Sequence, residues 1–294
     1  MPFDILSLLG EPGDAWCGKY ILDGKYHAVE EPLWGVRSSV LSGLVASQAV
    51  ALRSAEPYIT LWPLHWEILA GQLERMGVAE VEFDTSEELR RAIWLLASRN
   101  HYPAHSLAHI FVWLEQAASG DAVRSAVFQR KLDKGIMEVV ARPLFLLAGA
   151  KVAAVGDGYD PWRDGAVEAV ADRSARSQGC DGAALTLADG RLARTTLGNI
   201  FFFLPGARVV GVGRNARPDA LCRLMFEKRL FDRFKLTYEE HDAIGQTIIT
   251  EAQECFVCDS ALGLQPVMSI GTNKRFFNRV TPTLAEGLRR LVDF

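Results

Sequence analysis

His101, His105 and His109 follow one another at intervals of four. On a helix that spacing stacks three imidazoles on one face, where they could ligate a divalent metal. Pro103 interrupts the run, and HIFVWL at 109–114 reads as a buried strand. The three are therefore expected as separate surface or core histidines, and no metal site is assigned. Cys255 and Cys258 make a CxxC pair on another strand-like segment. Residues three apart on a strand point to opposite faces, so packing is expected of them rather than a shared metal or a disulfide. Gly211-Val-Gly-Arg lacks the lysine and serine of a P-loop and the strand-to-helix setting of a dinucleotide fingerprint. No G-x-S-x-G elbow, H-E-x-x-H pair or EF-hand loop occurs.

The elements that must position such residues come from patterning. The 294 residues are 49% apolar and 23% charged, an ordinary globular composition. Net charge is −4 without a Lys/Arg cluster, so neither a nucleic-acid nor a membrane partner is expected. No apolar run reaches the ~20 residues of a membrane span. The start, MPFDILSLLGEPGDAW, carries an early acid and no basic segment, so a secretory leader is not expected. Five cysteines without framework spacing suit a reduced, cytoplasmic setting.

Short alternating runs predict strands at Lys19–Leu22 and Val78–Phe83. Thr85 and Glu88 are placed as a capping box before a helix whose apolar face is Leu89, Ala92, Ile93 and Leu96. His65–Met76 reads as another helix. The polar stretch EQAASGDAVRSA at 115–126 is the expected linker, dividing the chain into an α+β lobe at 1–118 and a second at 119–294. Further on, GIMEVVARPLFLLAG and KVAAV read as strands and GDGYDPWRDG as turns. AVEAVADRSARSQ reads as a helix capped by Gly179. Strands are expected at Ala183–Leu187, Asn199–Phe203, Val209–Val212 and Glu254–Cys258, and helices at Asp219–Phe234 and Thr283–Val292.

One segment carries more than patterning. Residues 171–203, ADRSARSQGCDGAALTLADGRLARTTLGNIFFF, resemble the part of the class IV aminotransferases in which an A-x-x-x-A helix leads to Gly-Ala-Asp-Glu-Ala, a strand, an Asp-Gly hairpin and a Ser-Asn-x-Phe strand. Ala171, Ala175, Gly179, Asp181, Ala183, Asp189, Gly190, Asn199, Ile200 and Phe201 stand in matching places. Arg223 falls at the end of the family's Gly-Ile-Thr-Arg, and Glu239 or Glu240 at its helix-following glutamate. AQECFVCDSALGLQPVMSIG is similar to the family's closing segment, and His65-Trp-Glu-Ile-Leu to its "HleRL". The family includes branched-chain and D-amino-acid aminotransferases and aminodeoxychorismate lyase. The likeness implies a two-lobed α+β, D-amino-acid aminotransferase-like architecture (PLP fold type IV), with pyridoxal phosphate (PLP) between the lobes and commonly a homodimer.

Carried over by position, the resemblance implies a site that has lost its main parts. The imine-forming lysine falls on Pro161, and Tyr159–Asp164 contains no lysine; the nearest is Lys151. The glutamate that pairs with the pyridine nitrogen falls on Arg194, and the phosphate arginine on Ile68. The family's Gly-Ile-Thr falls on Ala220-Leu221-Cys222, which drops a hydroxyl but leaves helix-start amides, and its second phosphate hydroxyl falls on Ser260. Thr195 and Asn199 complete the expected lining.

The resemblance therefore implies that PLP is absent or only loosely held. It leaves three readings. In one, the fold is repurposed to bind or convert a small anionic metabolite. Arg163 and Arg194 then attract it, and Tyr159, Asp160 or Glu168 supplies acid–base chemistry. In another, the chain is a non-catalytic partner of an active family member, paired through the family's dimer surface. In the third it is a PLP-dependent transferase or lyase using a lysine elsewhere.

Overall fold

The computed structural model describes residues 16–28, 44–53, 59–78, 85–101, 103, 105–117, 120–131, 142–147, 161–212, 218–260, 263–271 and 274–292. The chain divides into two compact units, Met1–Ile136 and Met137–Phe294.

The first unit contains β1 (Trp16–Leu22), β2 (Lys25–Ala28), β3 (Leu44–Arg53), α1 (Trp62–Arg75), α2 (Ser86–Arg99), β4 (His105–Ala117) and β5 (Gly120–Lys131). Its strands form an antiparallel sheet in the order β2-β1-β5-β4-β3. Asp23 and Gly24 both adopt left-handed φ, at 45° and 72°, the two-residue turn whose twist suits a hairpin. The capping box is formed: Glu88 N–H donates to Thr85 Oγ1 at 3.2 Å, and Thr85 N–H to Glu88 Oε2 at 3.1 Å. Leu69 and Leu73 of α1 and Ile93 and Leu96 of α2 join Ala108, Ile110 and Val112 of β4 in one core. The sheet's other face carries rings: Tyr20 stacks on Phe128 at 5.1 Å, and Phe111 meets Phe128 edge-on at 6.2 Å.

The stretch at 115–126 is no linker. Glu115 pairs with Ala122 and Ala117 with Gly120, so its described residues belong to the paired ends of β4 and β5. Polar residues mark a turn as readily as a linker, and cross-strand pairing decides between them. β5 thus lies within Met1–Ile136, beyond the expected division at 118/119. The strand expected at Val78–Phe83 lies outside the described residues except for Val78, as does KVAAV at 151–155.

The second unit runs β6 (Arg142–Leu147), α3 (Pro161–Ser177), β7 (Gly182–Thr186), β8 (Leu192–Thr195), β9 (Asn199–Leu204), β10 (Arg208–Val212), α4 (Ala220–Glu227), α5 (Leu230–Arg233), β11 (Thr237–His241), α6 (Gln246–Glu251), β12 (Glu254–Asp259), β13 (Gly263–Ile270), β14 (Lys274–Arg275) and α7 (Thr281–Val292). Its nine-stranded sheet is ordered β11-β10-β9-β12-β13-β6-β7-β8, with β14 on β13. β6 and β7 are parallel, joined through α3 as a crossover requires. α3 begins at Pro161, so residues 161–165, expected as turn, are its opening turns. Proline suits a first helical position because its missing N–H has no helical partner there. Gly179, at φ 73°, ends this helix, and Cys180 N–H reaches Ala175 O at 3.0 Å.

The single helix expected at Asp219–Phe234 is two. Arg229, at φ 51°, breaks it; Phe226 and Phe231 then meet edge-on at 5.9 Å, and both lie beside Tyr238 and Phe201. Gly211, read in sequence beside a phosphate motif, serves packing: a Cβ there would stand 2.7 Å from the Phe201 ring.

Candidate functional site

Asp219 precedes α4 with extended backbone, φ −143° and ψ 132°. Aspartate is among the best residues for this place, since its carboxylate takes a first-turn N–H and its charge suits the helix dipole. Its Oδ1 accepts Cys222 N–H at 2.8 Å. Its Oδ2 accepts Ser260 N–H, also at 2.8 Å. Ser260 Oγ in turn accepts Leu221 N–H at 3.0 Å. Antiparallel pairing of β12 with β9 sets where Ser260 arrives, so two distant segments are tied at the mouth of one helix. The Cys222 and Cys258 thiols share a hydrogen bond here. That bond, burial, and the nearby Asp219 and Asp259 charges push the Cys258 thiol well above its ordinary range, so it stays protonated. The CxxC residues part as expected: Cys255 enters the core with Phe202 and Val257, while Cys258 meets Cys222.

A second group lies between α3 and the β7–β8 hairpin. Ala171 and Ala175 pack there with Ala183, Leu185 and Ala193. Arg194 pairs in register with Leu185 and is 3% exposed. Glu168, one turn before Ala171, is 8% exposed. The layer thus brings a buried guanidinium and a buried carboxyl onto facing elements. Arg194 is enclosed rather than set at an open mouth.

Thr195 Oγ1 donates to Gly198 O at 2.8 Å and accepts Leu197 N–H at 3.2 Å, shaping the turn that delivers Asn199 opposite Cys258. Thr195, Asn199, Leu221, Cys222 and Ser260 are all buried. Ile68 lies half-buried on α1 in the first unit. Tyr159, Asp160 and Lys151 are outside the described residues, and of Pro161 and Arg163 only the backbone, in the first turn of α3, is described. His101 stands in a turn at φ 60°, while His105 and His109 lie on β4, so the three share no helix. Among the described residues no cluster suited to a metal occurs, and no helix is long and apolar enough to cross a membrane.

No family model matches the sequence, and no curated protein matches it. Solved structures do resemble it. The T.th. branched-chain amino acid aminotransferase, complexed with N-(5'-phosphopyridoxyl)-L-glutamate, superposes with a TM-score of 0.74 at 17% identity, over 94% of this chain and 95% of that one. The branched-chain aminotransferase of Thermoproteus uzoniensis with norvaline gives 0.75 at 16%, over 94% and 95%. The Thermobaculum terrenum enzyme in its PLP form gives 0.73 at 16%, over 95% of each chain. This is the PLP fold type IV aminotransferase fold. At such identities the likeness is one of fold, and it agrees with the α+β architecture expected from residues 171–203.

Two of these neighbouring structures hold a phosphopyridoxyl adduct or PLP itself. The positions that the resemblance assigns to the cofactor phosphate have their amides engaged: Leu221 N–H by Ser260, and Cys222 N–H by a carboxylate. Arg194 is the residue that the resemblance sets at the pyridine-nitrogen position. Asp219 is the residue that sequence reading missed. A Pro-Asp pair before an apolar run was a sign of the cap, but not of its second acceptor.

Proposed function

We propose that this chain uses the aminotransferase fold without PLP chemistry, to bind or convert a small anionic metabolite. The observation that carries this reading is Arg194, a guanidinium held inside the α3/β7–β8 layer at the strand position where the resemblance implies a carboxylate. A guanidinium presents a planar fork that matches a carboxylate. A cation in a low-dielectric layer favours an anionic ligand and disfavours a protonated pyridine. Acid–base work falls to Tyr159, Asp160 or Glu168, with Glu168 on the α3 face that covers β7–β8. Pro161 carries no nucleophile, which supports a reaction or binding step without an imine.

The test is spectroscopic. Purified protein is mixed with pyridoxal phosphate, reduced with borohydride and weighed intact. The expected mass is that of the bare chain. A reduced adduct on one lysine, with the matching aldimine absorbance before reduction, would overturn the reading and restore an ordinary aminotransferase.

A further inference from the structure

We infer that Asp219 is a built-in occupant of the phosphate position of this fold, and that it restricts the site to ligands without a phosphate group. This deepens the PLP-free reading above and rests on it for the location of the site. Where a helix start holds an anion, the anion sits on first-turn amides together with donors from neighbouring segments. Both kinds of donor are present here, and both are turned onto a single side chain. Cys222 N–H from α4 meets Oδ1 and Ser260 N–H from the end of β12 meets Oδ2, each at 2.8 Å.

An ordinary helix cap needs only the first of these contacts. The second recruits a donor from a residue 41 positions away and leaves the carboxylate bridging two elements, as a bound oxyanion would. Another first-turn donor, Leu221 N–H, is taken by Ser260 Oγ at 3.0 Å. A tethered carboxylate competes at a high effective concentration that a free ligand cannot match. Charge adds to occupancy. Asp259, 9% exposed, lies in the same neighbourhood, since both carboxylates act on Cys258. A phosphate dianion arriving here would meet like charge in a poorly solvated place. The ligand class that remains is a small carboxylate carrying no phosphate ester.

Calorimetric titration with inorganic phosphate tests this on the whole protein, its Asp219→Ala variant and its Asp219→Ser variant. Serine keeps a short acceptor for Cys222 N–H, so the helix start holds, while the charge and the bridge to Ser260 are removed. The expected result is at least about tenfold tighter phosphate binding in the variants than in the parent. Equal affinity across all three proteins, or no gain in a serine variant whose circular dichroism is unchanged, would overturn the inference. A borohydride-trapped lysine adduct bears on the proposed function, whereas the difference between parent and variants bears on Asp219, so the two can fail separately.

Discussion

Oε2 of Glu254 accepts both the amide N–H of Thr281, at 3.1 Å, and its hydroxyl, at 3.0 Å. Oε1 takes Arg279 N–H at 2.7 Å and Val280 N–H at 2.8 Å. The first residue of β12 thereby caps α7, which is why that helix starts at Thr281 rather than at the expected Thr283. Replacing Glu254 by alanine strands several amides in a buried place. A loss of about 3 kcal/mol is expected, read by urea denaturation; a loss below about 1 kcal/mol would show that water replaces the carboxylate without difficulty.

Gly198 should not tolerate a side chain. Its φ is 132°, and a Cβ would stand 2.6 Å from the Cys258 carbonyl and 2.8 Å from Asp259 Cβ. Gly198→Ala is expected to cost about 2 kcal/mol or more from strain and displacement together. The displaced segment leads straight to Ser260, so hydrogen exchange at Leu221 and Cys222 should quicken as well. Unchanged exchange at those amides would contradict this coupling.

Stability should fall in mild acid through His109. Burial, with the Arg130 guanidinium adding to it, lowers its pKa from 6.5 to about 3. Between those values the unfolded chain takes a proton that the folded one refuses. Stability is thus unaffected above pH 6.5 and declines as pH drops towards 3, by up to ~1.4 kcal/mol per unit. Denaturation midpoints at pH 7, 6 and 5 should show this decline, and His109→Leu should flatten it. A parallel decline in both proteins would assign the effect to other groups.

Arg194 should govern any response to carboxylates. A melting-temperature screen of the parent protein against mono- and dicarboxylates is expected to yield stabilising ligands, and Arg194→Ala is expected to lose that stabilisation. Glu168→Gln serves as a second probe, because it alters the facing charge without emptying the layer. Retention of the full shift in Arg194→Ala would remove the guanidinium from the binding role.

Local signals were the legible ones. The Thr85–Glu88 box and the Gly179 cap depend on residues within a turn of each other, and both stand where sequence places them. Arg229 carries no such mark: neither glycine nor proline flags its left-handed backbone, which packing of Phe226 and Phe231 on Tyr238 accompanies. The strand pairing at 115–126 was hidden for a similar reason, since its register is a property of two strands together. At the candidate site, the cap before α4 could be foreseen, whereas the bond from Ser260 to Asp219 joins residues far apart in the chain. Resemblance singled out Arg194 without placing it on a strand, and only the pairing of β8 with β7 and its burial revealed how deeply it is enclosed.

β11 closes one side of the larger sheet, parallel to β10, and its Glu239 grips Arg208 through two hydrogen bonds at 2.7 and 2.8 Å. With Glu240 and His241 following, this border is short and rich in ionisable groups. Among the described residues β11 is the end of the sheet, and a foreign strand seeking to add there would have to approach two carboxylates. Such a border acts as a stop to runaway sheet growth, so crowding and long storage should spare this flank from fibre formation.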